Sequence, residues 1–434
     1  MCSSHPGGSS EARDPSMTWR GGGALSVRLA VKPGTVSILY SRNSVDVFDW
    51  EGRWIVGHEP GVTIQCALDG RVLKKASSQN GDVGPWSRRR QRLDADAGRA
   101  LLDRARQRVR AHAGDVSRAL AEASPAPPRG WLAAVLGFDK DGAVAQGSRF
   151  RAVYEPVGML PPDQYRAVVL QAALGCPWNQ CTFCTLYRDQ PFAVRSPVEF
   201  RNHLGAVQAF FGAALAGRRW LFVGEGDALS LPTHRLASLL TAAAGTFPVA
   251  PPSLAGRDLQ SWLTAHPVGF AGFSGFIDAG AGARRTVADY GVLRALGLRR
   301  AHLGLETGDA RLYRQLRKRG DVGAACATAA ALRTAGVGVA VIVLVGVGGQ
   351  EYAAGHVRDT LAALDAMCLG REDMVYLSLL QVMPGGAYQR WAEGEGVTPL
   401  TVEELGGQYR ALAAALRKPG GPRVAAYDIA EFMY

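Results

Sequence analysis

No apolar run in this 434-residue chain is long enough to span a membrane, and no charged start leads into a short apolar signal core. These absences argue against a helical membrane protein and a signal-bearing secreted one, so the expected location is the cytoplasm, with no membrane partner. Cysteine is scarce as well: seven in this length cannot build a disulfide scaffold. Cys2, Cys66, Cys326 and Cys368 are scattered, whereas Cys176, Cys181 and Cys184 are clustered. Clustering in a reducing compartment favours a metal site over disulfides. There is no second cluster, so an auxiliary metal centre is not expected. Acidic residues are in deficit, 38 against 49 Lys and Arg, for a net charge of +11. The excess is nearly all arginine and is densest between Arg88 and Arg110. No aromatics alternate with these arginines, as a stacking platform for single strands would require. The stretch admits polyanion binding, and it reads equally as the solvated face of a helix whose apolar side is Leu101, Leu102, Val109 and Leu120.

What remains is an ordinary globular composition, 47% hydrophobic and 20% charged, long enough for one barrel with additions. Residues 1–22 are rich in Ser, Gly and Pro and are expected to be a disordered lead-in. Residues 23–150 form a second unit. Short β-type runs such as Val36–Tyr40, Val45–Phe48, Trp54–Val56 and Val62–Cys66 alternate there with Pro33-Gly34, Glu51-Gly52 and Asp69-Gly70 turns. This pattern predicts a small meander, followed by an arginine-rich helix over roughly 94–122. From 151 to 434 strands and helices alternate. Strands are predicted at 167–172, 219–223, 268–274, 300–305, 338–345 and 374–380. Helices are predicted at 197–216, 233–244, 284–296, 322–335, 355–368 and 402–417. Six β–α units with crossovers long enough for parallel pairing imply an α/β fold, a partial (β/α)6 TIM-type barrel behind the β-rich module and its helix.

The three clustered cysteines lie in one loop, Gly175-Cys-Pro-Trp-Asn-Gln-Cys-Thr-Phe-Cys184, after the first predicted strand. Barrel enzymes place their active sites at such carboxyl ends of strands. Three thiolates this close can hold an iron–sulfur cube by three corners and leave one iron open for chemistry. The same spacing also opens the plant-type [2Fe–2S] pattern, but that needs a fourth cysteine, and the next is the distant Cys326. A structural zinc site also wants a fourth ligand, for which His203 is the nearest histidine.

With Tyr187-Arg188 following, this loop resembles the cluster loop of radical S-adenosylmethionine (SAM) enzymes, and the resemblance extends over about 155–434. The spacing here is C-x4-C-x2-C, one residue longer than the common C-x3-C-x2-C of that family. The resemblance implies a [4Fe–4S] cluster on Cys176, Cys181 and Cys184, with SAM on the open iron and Phe183 against the adenine. Such clusters reach roughly −700 mV, low enough to break a carbon–sulfur bond with one electron. The second strand ends in Phe222-Val-Gly-Glu-Gly-Asp-Ala-Leu229, in place of the family's Gly-Gly-Glu-like motif. Glu225 or Asp227 would there hold the SAM amino group, with Gly224 and Gly226 permitting close approach; a turn with a helix N-cap is the plainer reading. Ser274 and Asp278, near the end of the third strand, stand where the methionine end would lie or a cap would form.

His302-Leu-Gly-Leu-Glu-Thr-Gly308 resembles the Gly-x-Glu-Ser-Gly segment of relatives of the anaerobic porphyrin cyclases and methylthiotransferases, which assigns Glu306 to the ribose or methionine. Val341–Glu351 resembles the adenine wall, with Ile342 on the strand and Gly346 in the turn after it. His302 and His356 lack metal-type spacing and read as structural. The family further implies a reductant protein of flavodoxin or ferredoxin type and hydrogen abstraction from a substrate. No residue of the chain identifies that substrate or a catalytic side chain. Methylthiotransferase flanking domains and a cobalamin module are not recognisable, which leaves a small molecule or peptide ahead of nucleic acid. The alternative is a non-catalytic iron–sulfur or zinc protein that binds nucleic acid through its arginine-rich helix.

Overall fold

The computed structural model describes residues 26–76 and 89–434; the lead-in expected over 1–22 lies outside them. The chain opens with an antiparallel sheet of seven strands in sequence order. They are β1 (Arg28–Lys32), β2 (Thr35–Ser41), β3 (Ser44–Asp49), β4 (Trp54–Glu59), β5 (Val62–Cys66), β6 (Val72–Ala76) and β7 (Arg89–Arg92). The β1–β2 turn needs glycine: Gly34 sits at φ +81°, and a Cβ there would come within 1.7 Å of the Ala216 carbonyl. One face of the sheet buries Val36, Ile38, Phe48, Trp54 and Ile64 against Leu102, Ala105 and Val109 of the helix Ala95–Ala111.

That helix is capped by Asp94 and does not run on to 122 as expected. It breaks at His112 and a second helix spans Ala113–Ala121. Its arginines are largely matched internally. Arg108 reaches the buried Asp46 at 2.9 Å and Glu59 at 3.0 Å, while Arg106 meets Asp103 and Arg99 meets Asp96.

The second sheet is wholly parallel, in the order β8 (Val168–Gln171), β11 (Trp220–Gly224), β12 (Gly272–Ile277), β13 (Leu298–Glu306), β14 (Gly338–Val345), β15 (Met374–Leu379) and β16 (Arg423–Tyr427). A two-residue pair, β9 (Ala173–Leu174) with β10 (Ala193–Val194), closes the base of the cysteine loop. Six strands were predicted and seven are present. Arg423–Tyr427 escapes a hydrophobicity search because it lies at the sheet edge, half-exposed, with small residues in place of an apolar run. The third strand also starts later than predicted, at Gly272, and an unforeseen helix, Gly256–Ala265, precedes it.

Alternation along the central strands explains the layering. Val339, Val341, Val343 and Val345 face helices such as Val322–Thr334 and Val402–Leu416, in one continuous core with Leu332 and Leu412. Each such fully buried branched chain contributes roughly 1.5–3 kcal/mol. Ile342, Met374, Tyr376 and Tyr427 take the opposite face, with Phe276 and Met159. The helices begin where sequence signatures place them, with capping boxes at Ser196/Glu199, Thr286/Asp289 and Thr401/Glu404.

After β16 the chain turns through Ile429–Glu431 and crosses to the other edge of the sheet. There the Tyr434 hydroxyl accepts from the Val169 N–H at 2.9 Å and donates to the Ala167 carbonyl at 3.0 Å. Glu431 and Asp428 of this tail pair with Lys75 and Arg90 of the N-terminal sheet. Among the described residues no helix is long and apolar enough to cross a membrane.

Candidate active site

Strand β8 hands directly into the cysteine loop, whose turns are fixed by its own polar groups. The Asn179 side chain donates to the Tyr187 carbonyl at 2.7 Å, and its N–H points at the Cys176 sulfur at 3.4 Å. Arg188 donates to the carbonyls of Cys181 and Cys184 at 3.0 and 3.2 Å. Two further bonds tie the loop to the segment after β13: Trp178 donates to the Arg317 carbonyl at 2.8 Å, and the Thr182 N–H to Leu316 at 3.0 Å. The loop also seats on the turn after β11. Gly226 at φ +53° leaves only 2.5 Å between a hypothetical Cβ and the Gly175 carbonyl, so no larger residue fits.

Cys176, Cys181 and Cys184 all line one cavity of about 560 Å³ at the carboxyl ends of the parallel strands. That is the usual size range of a small-molecule site. Burial pushes all three thiols up, Cys181 to about 12, with Lys318 pulling Cys181 and Cys184 the other way. Free thiolates are therefore disfavoured here, and a metal centre that replaces their protons fits the donor set. Among the described residues no three His, Cys, Asp or Glu side chains are grouped for a single metal ion.

Two carboxyls stand beside Cys176. Burial and the neighbouring Asp278 hold the Asp227 carboxyl well above the usual range. The Asp278 N–H donates to Asp227 Oδ1 at 2.9 Å, while Asp278 Oδ2 is buried without a hydrogen bond and lies 3.7 Å from the Arg319 guanidinium. A buried carboxylate oxygen held only by this loose ion pair, with no hydrogen bond of its own, fits a cationic amine at the cavity wall. On β13 a register shift precedes Glu306, which adopts φ +64°, an uncommon conformation for a residue with a side chain. Its carboxylate meets Lys318 at 3.2 Å, both side chains less than a tenth exposed. Glu306 keeps that ammonium charged against the cost of burial, and its Nζ lies 5.9 Å from the centre of the Phe183 ring. Ile342 and Leu344 of β14 complete an apolar wall.

No family model matches the sequence, and no curated protein does. Among solved structures, the radical SAM methyltransferase TsrM from Kitasatospora setae aligns with 56% of this chain and 41% of its own, at 15% identity and a TM-score of 0.37. Methylornithine synthase, PylB, aligns with 58% of this chain and 64% of its own, at 16% identity and a TM-score of 0.37. SuiB from Streptococcus suis, solved with S-adenosylmethionine bound, aligns with 85% of this chain and 72% of its own, at 10% identity and a TM-score of 0.39. This chain is similar to radical SAM enzymes. The match spans less than two thirds of the first two proteins, and it is the chain's own cysteine loop and carboxyls that carry the functional reading.

Of the residues expected against a radical SAM cofactor set, Phe183, Asp227, Glu306 and Ile342 line the cavity beside the cysteines. Gly224, Glu225, Ser274 and Gly346 do not. Glu225 turns away and accepts from the Gly158 N–H and Tyr187 hydroxyl, each at 3.2 Å, and from Gln171 at 3.3 Å. It locks the cysteine loop to β8 and β11, and burial pushes its carboxyl up to about 7. Ser274 lies deep under the cavity and donates to Gln164 at 2.8 Å. The Gly346 N–H is taken by Gln408 at 2.7 Å, and Gly224 packs against Val169. Sequence reasoning missed Lys318. Its one signal was a lysine flanked by Arg317 and Arg319 in a chain with few lysines, and only the backbone turn at Arg317 brings it under Glu306.

Proposed function

We propose that this chain is a radical SAM enzyme acting on a small organic or peptide substrate. The observation that carries the reading is the convergence of three thiols, a buried carboxyl pair and the apolar wall of β14 in one cavity. We read the parallel sheet as a curved, partly open TIM-type barrel, with 151–434 as its core and 23–150 as an accessory unit. Cys176, Cys181 and Cys184 would hold a [4Fe–4S] cluster. When bound, the cluster and SAM would supply one-electron reductive cleavage of the sulfonium and, from it, hydrogen abstraction from the substrate.

The chain's residues would do the rest. Asp278, backed by Asp227, receives the ammonium of the methionine moiety, and Lys318 stands ready for its carboxylate. Glu306, oriented by the same lysine, accepts from the ribose hydroxyls. Phe183, Ile342 and Leu344 clasp the adenine and exclude water, which strengthens every charged contact inside and protects a reactive carbon radical. A flavodoxin- or ferredoxin-type protein would deliver the electron, in the cytoplasm.

Anaerobic reconstitution tests this. The wild type should bind four irons, show an EPR signal that changes when SAM is added, and form 5′-deoxyadenosine with dithionite. Cys181→Ala should lose both cluster and product. A cluster indifferent to SAM, or undiminished product from the variant, would sink the assignment.

A further inference from the structure

The β6–β7 edge of the N-terminal sheet borders the same cavity with a mostly basic strip. Pairing of β6 with β7 sets Leu73 opposite Arg92 and Lys75 opposite Arg90, so these four side chains share a face, with Arg71 one step further along. Leu73 packs with Met433 of the tail. Lys75 and Arg90 are neutralised by the tail acids Glu431 and Asp428, at 2.7–2.9 Å. Arg92 is not consumed in this way, and Arg71 pairs within its own turn rather than with the tail. Both line the cavity, and Arg71 meets only its neighbour Asp69, at 2.5 Å, with its side chain 47% exposed. The Arg92 side chain has no hydrogen bond or ion pair with any described residue and is exposed.

Elsewhere on the cavity wall the cations are matched: Lys318 by Glu306 and Arg319 by Asp278. Among the described residues the unmatched cation of the cavity wall is thus Arg92, on the side built from the N-terminal sheet. Below it the lining is apolar and aromatic, with Met159, Phe276, Tyr427 and Phe432.

We propose that Arg92, assisted by Arg71, binds an anionic group of the substrate, a carboxylate or phosphate carried on an aromatic or alicyclic body that fills the apolar floor. This rests on reading the cavity as a radical SAM site and adds the class of molecule it receives. Guanidinium is suited to such a role because its planar fork matches both oxyanions. The arginine-rich stretch then serves, at its β7 end, as a wall of the active site rather than as a nucleic-acid surface.

Titration of the SAM-loaded, reconstituted protein with indole-3-acetate, 1-naphthyl phosphate and the neutral indole-3-acetamide tests the idea. The anions should bind and the amide should bind at least tenfold more weakly, while the better of the two anions separates carboxylate from phosphate substrates. Arg92→Gln should weaken anion binding about tenfold. Arg104→Gln, on the exposed side of the helix, should leave it unchanged and so controls for general charge. The response of the cluster EPR signal to SAM should persist in Arg92→Gln. Equal binding of charged and neutral probes, absence of anion binding, or an equal loss in both variants overturns the proposal. Loss of the SAM response in the wild type overturns instead the radical reading beneath it.

Discussion

At the scale of single residues, the buried charges decide what the protein tolerates. Removing the partner of a buried ion costs about 3–5 kcal/mol, because the survivor is left desolvated and alone. Lys318→Met should therefore lower the unfolding free energy by about 3 kcal/mol, and adding Glu306→Gln should recover part of it; urea titrations of the four-member cycle measure the coupling. Two imidazoles act through pH. Burial, acting first, lowers both His203 and His356 to about 4. The Gln171 N–H donates to His203 at 3.0 Å, and the Thr307 hydroxyl lies 2.8 Å from His356. Both remain neutral in the folded chain while the unfolded chain protonates near 6.5. Their contribution is thus complete above pH 6.5 and is lost as pH falls from there through 4, at most about 3 kcal/mol for each. Urea midpoints should drop steeply between pH 7 and 5, and His356→Gln should flatten part of that slope.

At the scale of elements, the sheet leaves two edges, and the tail treats one of them. Exposed edge strands offer unpaired backbone groups. Tyr434 satisfies two such groups, the Val169 N–H of β8 and the Ala167 carbonyl just before it, with a single hydroxyl in place of a neighbouring strand. Tyr434→Phe keeps the buried ring but strands the Val169 N–H and the Ala167 carbonyl. It should cost about 1–3 kcal/mol, read by denaturation, and speed amide exchange at Val169. The central strands β13 to β15 were legible because a strand buried on both faces must be an apolar run, and Ala340–Val345 is one. β16 was not legible: its ladder with β15, from Met374↔Arg423 to Ser378↔Tyr427, is a backbone fact that Arg-Val-Ala-Ala-Tyr does not announce. The arginine-rich helix was readable as a helix, yet the engagement of Arg108 follows from Asp46, a sheet residue 62 positions away.

At the scale of the whole molecule, the N-terminal sheet and the tail are joined chiefly through Arg90, Lys75 and Glu431. Arg90→Ala removes two ion pairs whose groups are at most one-fifth exposed, and should cost about 1.5–3 kcal/mol. Hydrogen exchange should then rise selectively over 428–434, with the parallel sheet unaffected; uniform exchange across both parts would show that the joint carries no load. The same joint explains what could and could not be foreseen. The amino-acid order alone determined the local elements and the donor set: strand and helix periods, capping boxes, and three thiols within nine residues, Cys176 to Cys184. These depend on near neighbours, whose separation along the chain limits their separation in space. Only the tertiary structure decided which carboxyls face the cysteines. Glu225 and Asp227 are two residues apart, yet one is buried in a hydrogen-bonded joint and the other lines the cavity. It also brought Lys318 beneath Glu306 and Arg92 beside the tail, because contacts between distant segments are set by how the sheets pack and not by spacing.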